Sequence, residues 1–327
     1  MIKNKKIVVT GGAGFIGSNL CNTLIEAGNK VVCIDNLSTG SVDNIDHLAG
    51  RDDFKLLVSD VTSMSCLTGL DFGSVDMIFH LACPASPPKY QSDMVKTLKT
   101  STVGTINVLD YARLYDIPVL FSSTSEVYGD PDKYHVYQNE EYWGNVNPMG
   151  IRSCYDEGKR CAEALCFSYH RQYKVQAKVV RLFNTYGPHM NPDDGRIVSN
   201  FIMQALRGEP ITIYGTGKQN RSYCYVDDTV RGLILAMEHP SHVNNDGKLV
   251  AINIGNPNEC VTVLEVAKKI KKLTGSKSEL VYKDLPEDDP HMRRPAINSA
   301  LAYLNWKPEI TFDKGLEKTI EHFKKFV

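Results

Sequence analysis

The chain has 327 residues, 42% of them hydrophobic, with 37 basic and 38 acidic side chains interspersed, which suits one large or two intimately joined domains and excludes a basic footprint for nucleic acid. Nine cysteines without a C-x-x-C pair exclude a complete disulfide framework and read as reduced thiols of a cytoplasmic protein. No run approaches the roughly 18 apolar residues of a membrane span, and too few residues precede the first apolar strand for a signal peptide or anchor.

In chain order, short β-branched runs at Lys6–Thr10, Lys30–Asp35, Phe54–Val58 and residues 77–81 alternate with helical patterns, the first of them over 18–27. Such alternation predicts a parallel sheet with helices on both faces. A long helix over 96–115 leads to a strand at 118–122, and another over 154–173 leads to Ala177–Leu182. Beyond Leu182 the rhythm changes, because Pro188, Pro192, Gly195, Pro210, Gly215 and Gly217 break the chain into shorter elements of a smaller lobe. The helix Val226–Glu238 and a strand at 249–254 are expected to return to the main sheet. No repeat or low-complexity segment stands out.

Between the first strand and the first helix lie Gly11, Gly14, Phe15, Ile16 and Gly17. Glycines in this context permit a tight turn and close approach of a pyrophosphate to backbone N–H groups. Asp35 ends the second strand, with Asn36 beside it, where a carboxylate accepts bonds from an adenosine ribose and repels a 2′-phosphate. NAD is therefore expected over NADP. Asp60 and Val61, after the third strand, are candidates for the adenine, although a solvated loop aspartate fits equally well. Leu81 and Ala82 close the fourth strand on the same edge.

Tyr155 and Lys159 stand four apart in a predicted helix and so share a face, where the ammonium can favour the ionised phenol. A phenol of ordinary pKa about 10 then becomes a usable base, which together with a nucleotide loop points to alcohol oxidation by hydride transfer. The fifth strand ends in the run SSTSEVYG at 122–129, carrying hydroxyls and a carboxylate to the sheet edge where open α/β folds bind ligands. The expected fold class is α/β. A Rossmann-type doubly wound parallel sheet would span 1–182, with 222–254 returning to it, and the smaller substrate-binding lobe would comprise 183–221 and 255–327.

The glycine loop, the Tyr-x-x-x-Lys pair and this strand end together resemble the extended short-chain dehydrogenase/reductase family that works on nucleotide sugars. Within it, the runs HLACPASP (80–87), YWGNVNP (142–148), RSCYDEGKR (152–160), DGRIVSNF (194–201) and DDPHMRRP (288–295) resemble the UDP-glucuronate decarboxylase branch, and the likeness extends from about residue 7 to 306. The resemblance implies UDP-glucuronate as substrate, internally recycled NAD as cofactor, no metal, and a homodimer formed through the helices 96–115 and 154–173. It makes Thr124 the hydroxyl that polarises the oxidised carbon's oxygen, Tyr155 the base and Lys159 the group orienting the nicotinamide ribose.

By the same likeness, Ser125 and Glu126 face the carboxylate end of the sugar, Pro84 lies beside it, and Asn184, Val198, Asn200, Tyr214 and Arg293 meet the UDP moiety. Arg221 has two open assignments, the sugar carboxylate and the diphosphate. Related 4,6-dehydratases carry an aspartic acid where Ser125 stands, and a serine does not readily protonate a departing hydroxyl. Ser101 departs from the family, which has an asparagine there close to the cofactor. Cys83 and Cys154 read as packing residues. The alternatives are a UDP-sugar 4-epimerase and a non-catalytic NAD-sensing protein that keeps the fold.

Overall fold

The computed structural model describes residues 2–68, 74–240, 242–244, 247–285 and 292–327; the segment 288–291 of the DDPHMRRP run lies outside them. Its centre is a seven-stranded sheet built from β1 (Lys6–Thr10), β2 (Lys30–Asp35), β3 (Phe54–Val58), β4 (Met77–His80), β5 (Val119–Thr124), β6 (Ala177–Leu182) and the strand Ala251–Ile254. All neighbours pair in parallel, in the spatial order Ala251–Ile254, β6, β5, β4, β1, β2, β3. Helices cover both faces, so the inner strands are buried on both sides and read as unbroken apolar runs such as Ile7-Val8-Val9. The order reverses between β1 and β4, which opens a crevice at the carboxyl edge of the sheet.

Helices α1 (Phe15–Glu26), α2 (Pro87–Ser92), α3 (Met94–Lys99), α4 (Thr105–Tyr115) and α5 (Ser153–Tyr173) precede β6. The single helix expected over 96–115 is divided: a π-helical turn, Thr100–Gly104, separates α3 from α4. Threonine hydroxyls explain the disturbance, because Thr100, Thr102 and Thr105 each donate to the carbonyl four residues back, at 2.8, 2.8 and 2.6 Å, competing with the regular ladder.

Past β6 the chain makes short sheets at one end of the large one. Ile211–Tyr214 pairs in parallel with Leu280–Lys283, and Asn220–Ser222 lies between antiparallel Cys260–Thr262 and parallel Met292–Arg293. Helix α6 (Ile197–Arg207) packs on this region, whereas α7 (Val226–Glu238) packs on the large sheet beside α1; Trp306, fully buried, donates its indole N–H to the Asp228 carbonyl at 3.0 Å. None of the helices among the described residues is long and apolar enough to cross a membrane.

Candidate active site

The crevice at the reversal of strand order widens into a cavity of about 1010 Å³ that runs from the glycine loop to the short sheets. At its cofactor end Gly11 has φ +73°, and a Cβ there would stand 2.8 Å from the Ala82 backbone nitrogen. A Cβ on Gly17 would come within 2.1 Å of the Gly11 carbonyl oxygen. Only glycine lets the turn, the first turn of α1 and the end of β4 approach so closely. Gly14 caps α1 without a side-chain hydrogen bond and no acidic residue occupies the first turn, so the orphan N–H groups there suit an anion.

Asp35 lines the cavity at the end of β2, and its two carboxylate oxygens accept from Ala13 N–H at 3.0 Å and Leu37 N–H at 2.8 Å. Burial raises its pKa, with those two backbone donors acting in the opposite direction. Asp35 thus ties the glycine loop to the end of β2. The cradle, the uncapped helix start and this carboxylate fit a dinucleotide.

The chemical end begins where β5 runs out. Thr124 caps the turn Ser125–Tyr128, accepting from Glu126 N–H at 3.2 Å, and its side chain also hydrogen-bonds the Tyr155 hydroxyl. Lys159 donates to the Ser122 carbonyl at 2.8 Å, and its ammonium lies 5.9 Å from the Tyr155 ring centroid. A phenol lowered by Lys159 is not what results. Burial pushes Tyr155 up and Cys83 adds to that, against the Thr124 bond, while burial also pulls Lys159 below the usual lysine value. Desolvation thus outweighs a neighbouring cation that is itself desolvated.

Glu126 sits between two arginines. Arg152 donates to one carboxylate oxygen, and Arg293 reaches both through Nε at 3.3 Å and Nη2 at 3.2 Å. Burial alone would raise Glu126, but Arg293 and then Arg152 outweigh it and hold the carboxylate down at about 2. Arg152 also lies 3.8 Å from Asp156 and 5.8 Å from the centre of the Tyr90 ring. Tyr90 in turn stacks on Tyr155, with centroids 4.9 Å apart and planes 6° from parallel.

Gly11, Gly14, Phe15, Ile16, Gly17, Asp35, Asn36, Val61, Leu81 and Ala82 all line this one cavity. So do Thr124, Ser125, Glu126, Tyr155, Lys159, Pro84, Asn184, Val198, Asn200, Tyr214, Arg221 and Arg293. Asp60 does not line it: its carboxylate takes the Asn36 amide at 2.8 Å and both donors of Thr62, so it acts one step behind the wall. Ser101 is also behind the wall, bonded to the Cys83 thiol at 3.2 Å, while its neighbour Thr100 lines the cavity.

Arg293, expected at the UDP moiety, is found on Glu126; Arg221 is its register partner on the adjoining strand. The Asn184 amide nitrogen is buried without a partner and belongs to the same wall. Sequence reasoning missed Arg152 and Tyr90. Arg152 could have been found three residues before Tyr155, on the same helical face, whereas Tyr90 carries no spacing signal. Among the described residues no group of three or more His, Cys, Asp or Glu side chains converges as a metal site.

The chain belongs to the NAD dependent epimerase/dehydratase family, whose model matches residues 7–255. NAD is the dinucleotide that this cradle serves. The chain is 46% identical over 321 residues to UDP-glucuronic acid decarboxylase 1 of Xenopus tropicalis, covering 98% of this chain and 72% of that one. It is 48% identical over 322 residues to UDP-glucuronic acid decarboxylase 3 of Arabidopsis thaliana, covering 98% and 90%. Its fold is similar to that of UDP-glucuronic acid 4-epimerase from Bacillus cereus in complex with UDP-glucuronic acid and NAD, with a TM-score of 0.85, 27% identity, and coverage of 98% of this chain and 100% of that one.

Proposed function

We propose that this protein is a UDP-glucuronate decarboxylase, an NAD-dependent carboxy-lyase that converts UDP-glucuronate to UDP-xylose and carbon dioxide. The observation that carries the chemistry is Glu126, held ionised between Arg152 and Arg293 two residues beyond the Thr124 and Tyr155 hydroxyl pair. NAD, when bound, would supply the hydride acceptor for sugar carbon 4 and the donor for its return. Tyr155, as the phenolate that Lys159 favours, takes the proton of the carbon 4 hydroxyl as the ketone forms, and then as the phenol, together with Thr124, donates to the ketone oxygen. The sugar carboxylate is then that of a β-keto acid. As the bond from carbon 5 to the carboxylate breaks, its electron pair passes to the carbon 4 oxygen, where the same two hydroxyls stabilise the enolate.

Protonation at carbon 5 and hydride return at carbon 4 complete UDP-xylose. Glu126, ionised at neutral pH, is not itself the acid and instead accepts a hydrogen bond from the water that protonates carbon 5. Arg152 and Arg293 neutralise the anionic end, Lys159 orients the nicotinamide ribose, and Arg221 serves either that end or the diphosphate alongside Asn184. The dinucleotide lobe is 1–182 with 222–254, and the substrate lobe is 183–221 with 255–327. The protein acts as a cytoplasmic homodimer, a reading supported by exposed apolar side chains on α3, α4 and α5, including Leu98, Leu114, Tyr115 and Phe167.

Proton NMR of purified protein incubated with UDP-glucuronate and catalytic NAD tests this, with the anomeric signals as readout. UDP-xylose is expected, without net NADH. UDP-galacturonate as the product would move the protein to the 4-epimerases and overturn the decarboxylase reading.

A further inference from the structure

We propose that Asp156 is a positioning residue for this reaction, acting through Arg152 to set the net charge that the anionic end of the cavity presents to the sugar carboxylate. This rests on the decarboxylase reading above. Asp156 stands one turn after Arg152 on α5, so its carboxyl falls on the same face, with Oδ2 3.8 Å from the Arg152 Nε. Its other oxygen, Oδ1, is buried and has no hydrogen-bond partner. Arg152 lines the cavity and Asp156 does not, so the carboxyl acts on substrate only through the guanidinium in front of it.

The groups that face Asp156 come from four elements. Arg152, Cys154 and Glu157 lie on α5, Glu126 on the turn Ser125–Tyr128, Arg293 on Met292–Arg293, and Tyr90 on α2. Burial pushes the Asp156 carboxyl up, Glu126 and Glu157 add to it, and Arg152 and Arg293 oppose it, which leaves it at about 8. Of the charged groups that face Asp156, the three that line the cavity, Arg152, Arg293 and Glu126, sum to one positive charge while Asp156 keeps its proton. Once Asp156 ionises, the sum is zero. An incoming carboxylate is therefore attracted below about pH 8 and loses that attraction above it, whereas a sugar without a carboxylate is indifferent.

The test is calorimetric binding to NAD-loaded protein in a Tyr155→Phe background, which stops turnover and removes the phenol's own titration. From pH 7 to 9.5 the Kd of UDP-glucuronate should rise about tenfold while that of UDP-xylose stays level. With Asp156→Asn added, the UDP-glucuronate Kd should be low and flat across the range. A flat Kd without the Asn substitution, or an Asp156→Asn protein that keeps the rise, overturns the proposal. If the Asn variant does not fold, the contrast between the two ligands decides alone. Failure of the decarboxylase reading is separate, since it shows as absent UDP-xylose in the NMR assay whatever the binding data do.

Discussion

Glu126 is a carboxylate whose ionisation is enforced by its neighbours. Its pKa in the fold lies at about 2, below its ordinary value of 4.5, because Arg293 and Arg152 outweigh the burial that would raise it. A depressed carboxylate contributes stability that is fully present above the unfolded value and is lost as pH falls through the folded one. This ion-pair cluster should therefore hold across the neutral range and fail only in strong acid. Glu126→Gln leaves two buried guanidiniums without their counter-charge, so the variant should lose about 3 kcal/mol of stability, read as a lower thermal midpoint. Turnover to UDP-xylose should fall about 10²-fold with NAD affinity unchanged. Parent-like turnover would remove Glu126 from the chemistry. Tyr155→Phe keeps the ring that stacks on Tyr90 and loses the hydroxyl bonded to Thr124. Its expected signature is NAD binding at parental affinity with turnover abolished, measured by calorimetry beside the NMR assay.

The loop from β1 to α1 depends on contacts that tolerate no side chain. Gly17→Ala would set a methyl 2.1 Å from the Gly11 carbonyl oxygen, a backbone atom that cannot step aside without moving the loop. NAD affinity should fall at least about 10²-fold, and calorimetry showing an unchanged Kd would mean that the cradle does not hold the cofactor. This loop was legible in the sequence because its chemistry is local: a β-branched run, three glycines and a helix start fall within a dozen residues. The ends of β1, β2, β3 and β6 were legible for the same reason. The π turn at Thr100–Gly104 was not, since helical periodicity carries no mark of threonine hydroxyls bonding back to carbonyls. Nor was the partner of Arg293, which meets Glu126 across 167 positions of chain. Arg293 was recognisable as a site residue, but its direction is a property of tertiary packing. For Asp60 the sequence left two readings open, and the tertiary structure shows a local Asx turn that takes up the carboxylate before it reaches the cavity wall.

At the scale of the whole molecule, α3, α4 and α5 pack on one another and against the sheet, yet their outer faces keep apolar side chains in solvent. Leu114 is 73% exposed, Tyr115 58%, Leu98 42% and Phe167 37%. Single exposed apolar residues are ordinary, but several on adjoining helices suit a second copy of the chain. The consequence for function is mechanical. α5 carries Arg152, Tyr155, Asp156 and Lys159 on its first turns and Phe167 and Tyr173 further along, so an interface that clamps its outer face also steadies the catalytic face. Sedimentation at micromolar concentration should give twice the 36.5 kDa chain mass. Phe167→Glu, which sets a charge in the apolar face without touching the cavity, should shift the protein toward monomer and lower turnover while the isolated chain stays folded. A parent protein that sediments only as monomer would refute the dimer. A monomeric variant with parental turnover would keep the dimer and show that α5 is held firmly enough by its own subunit.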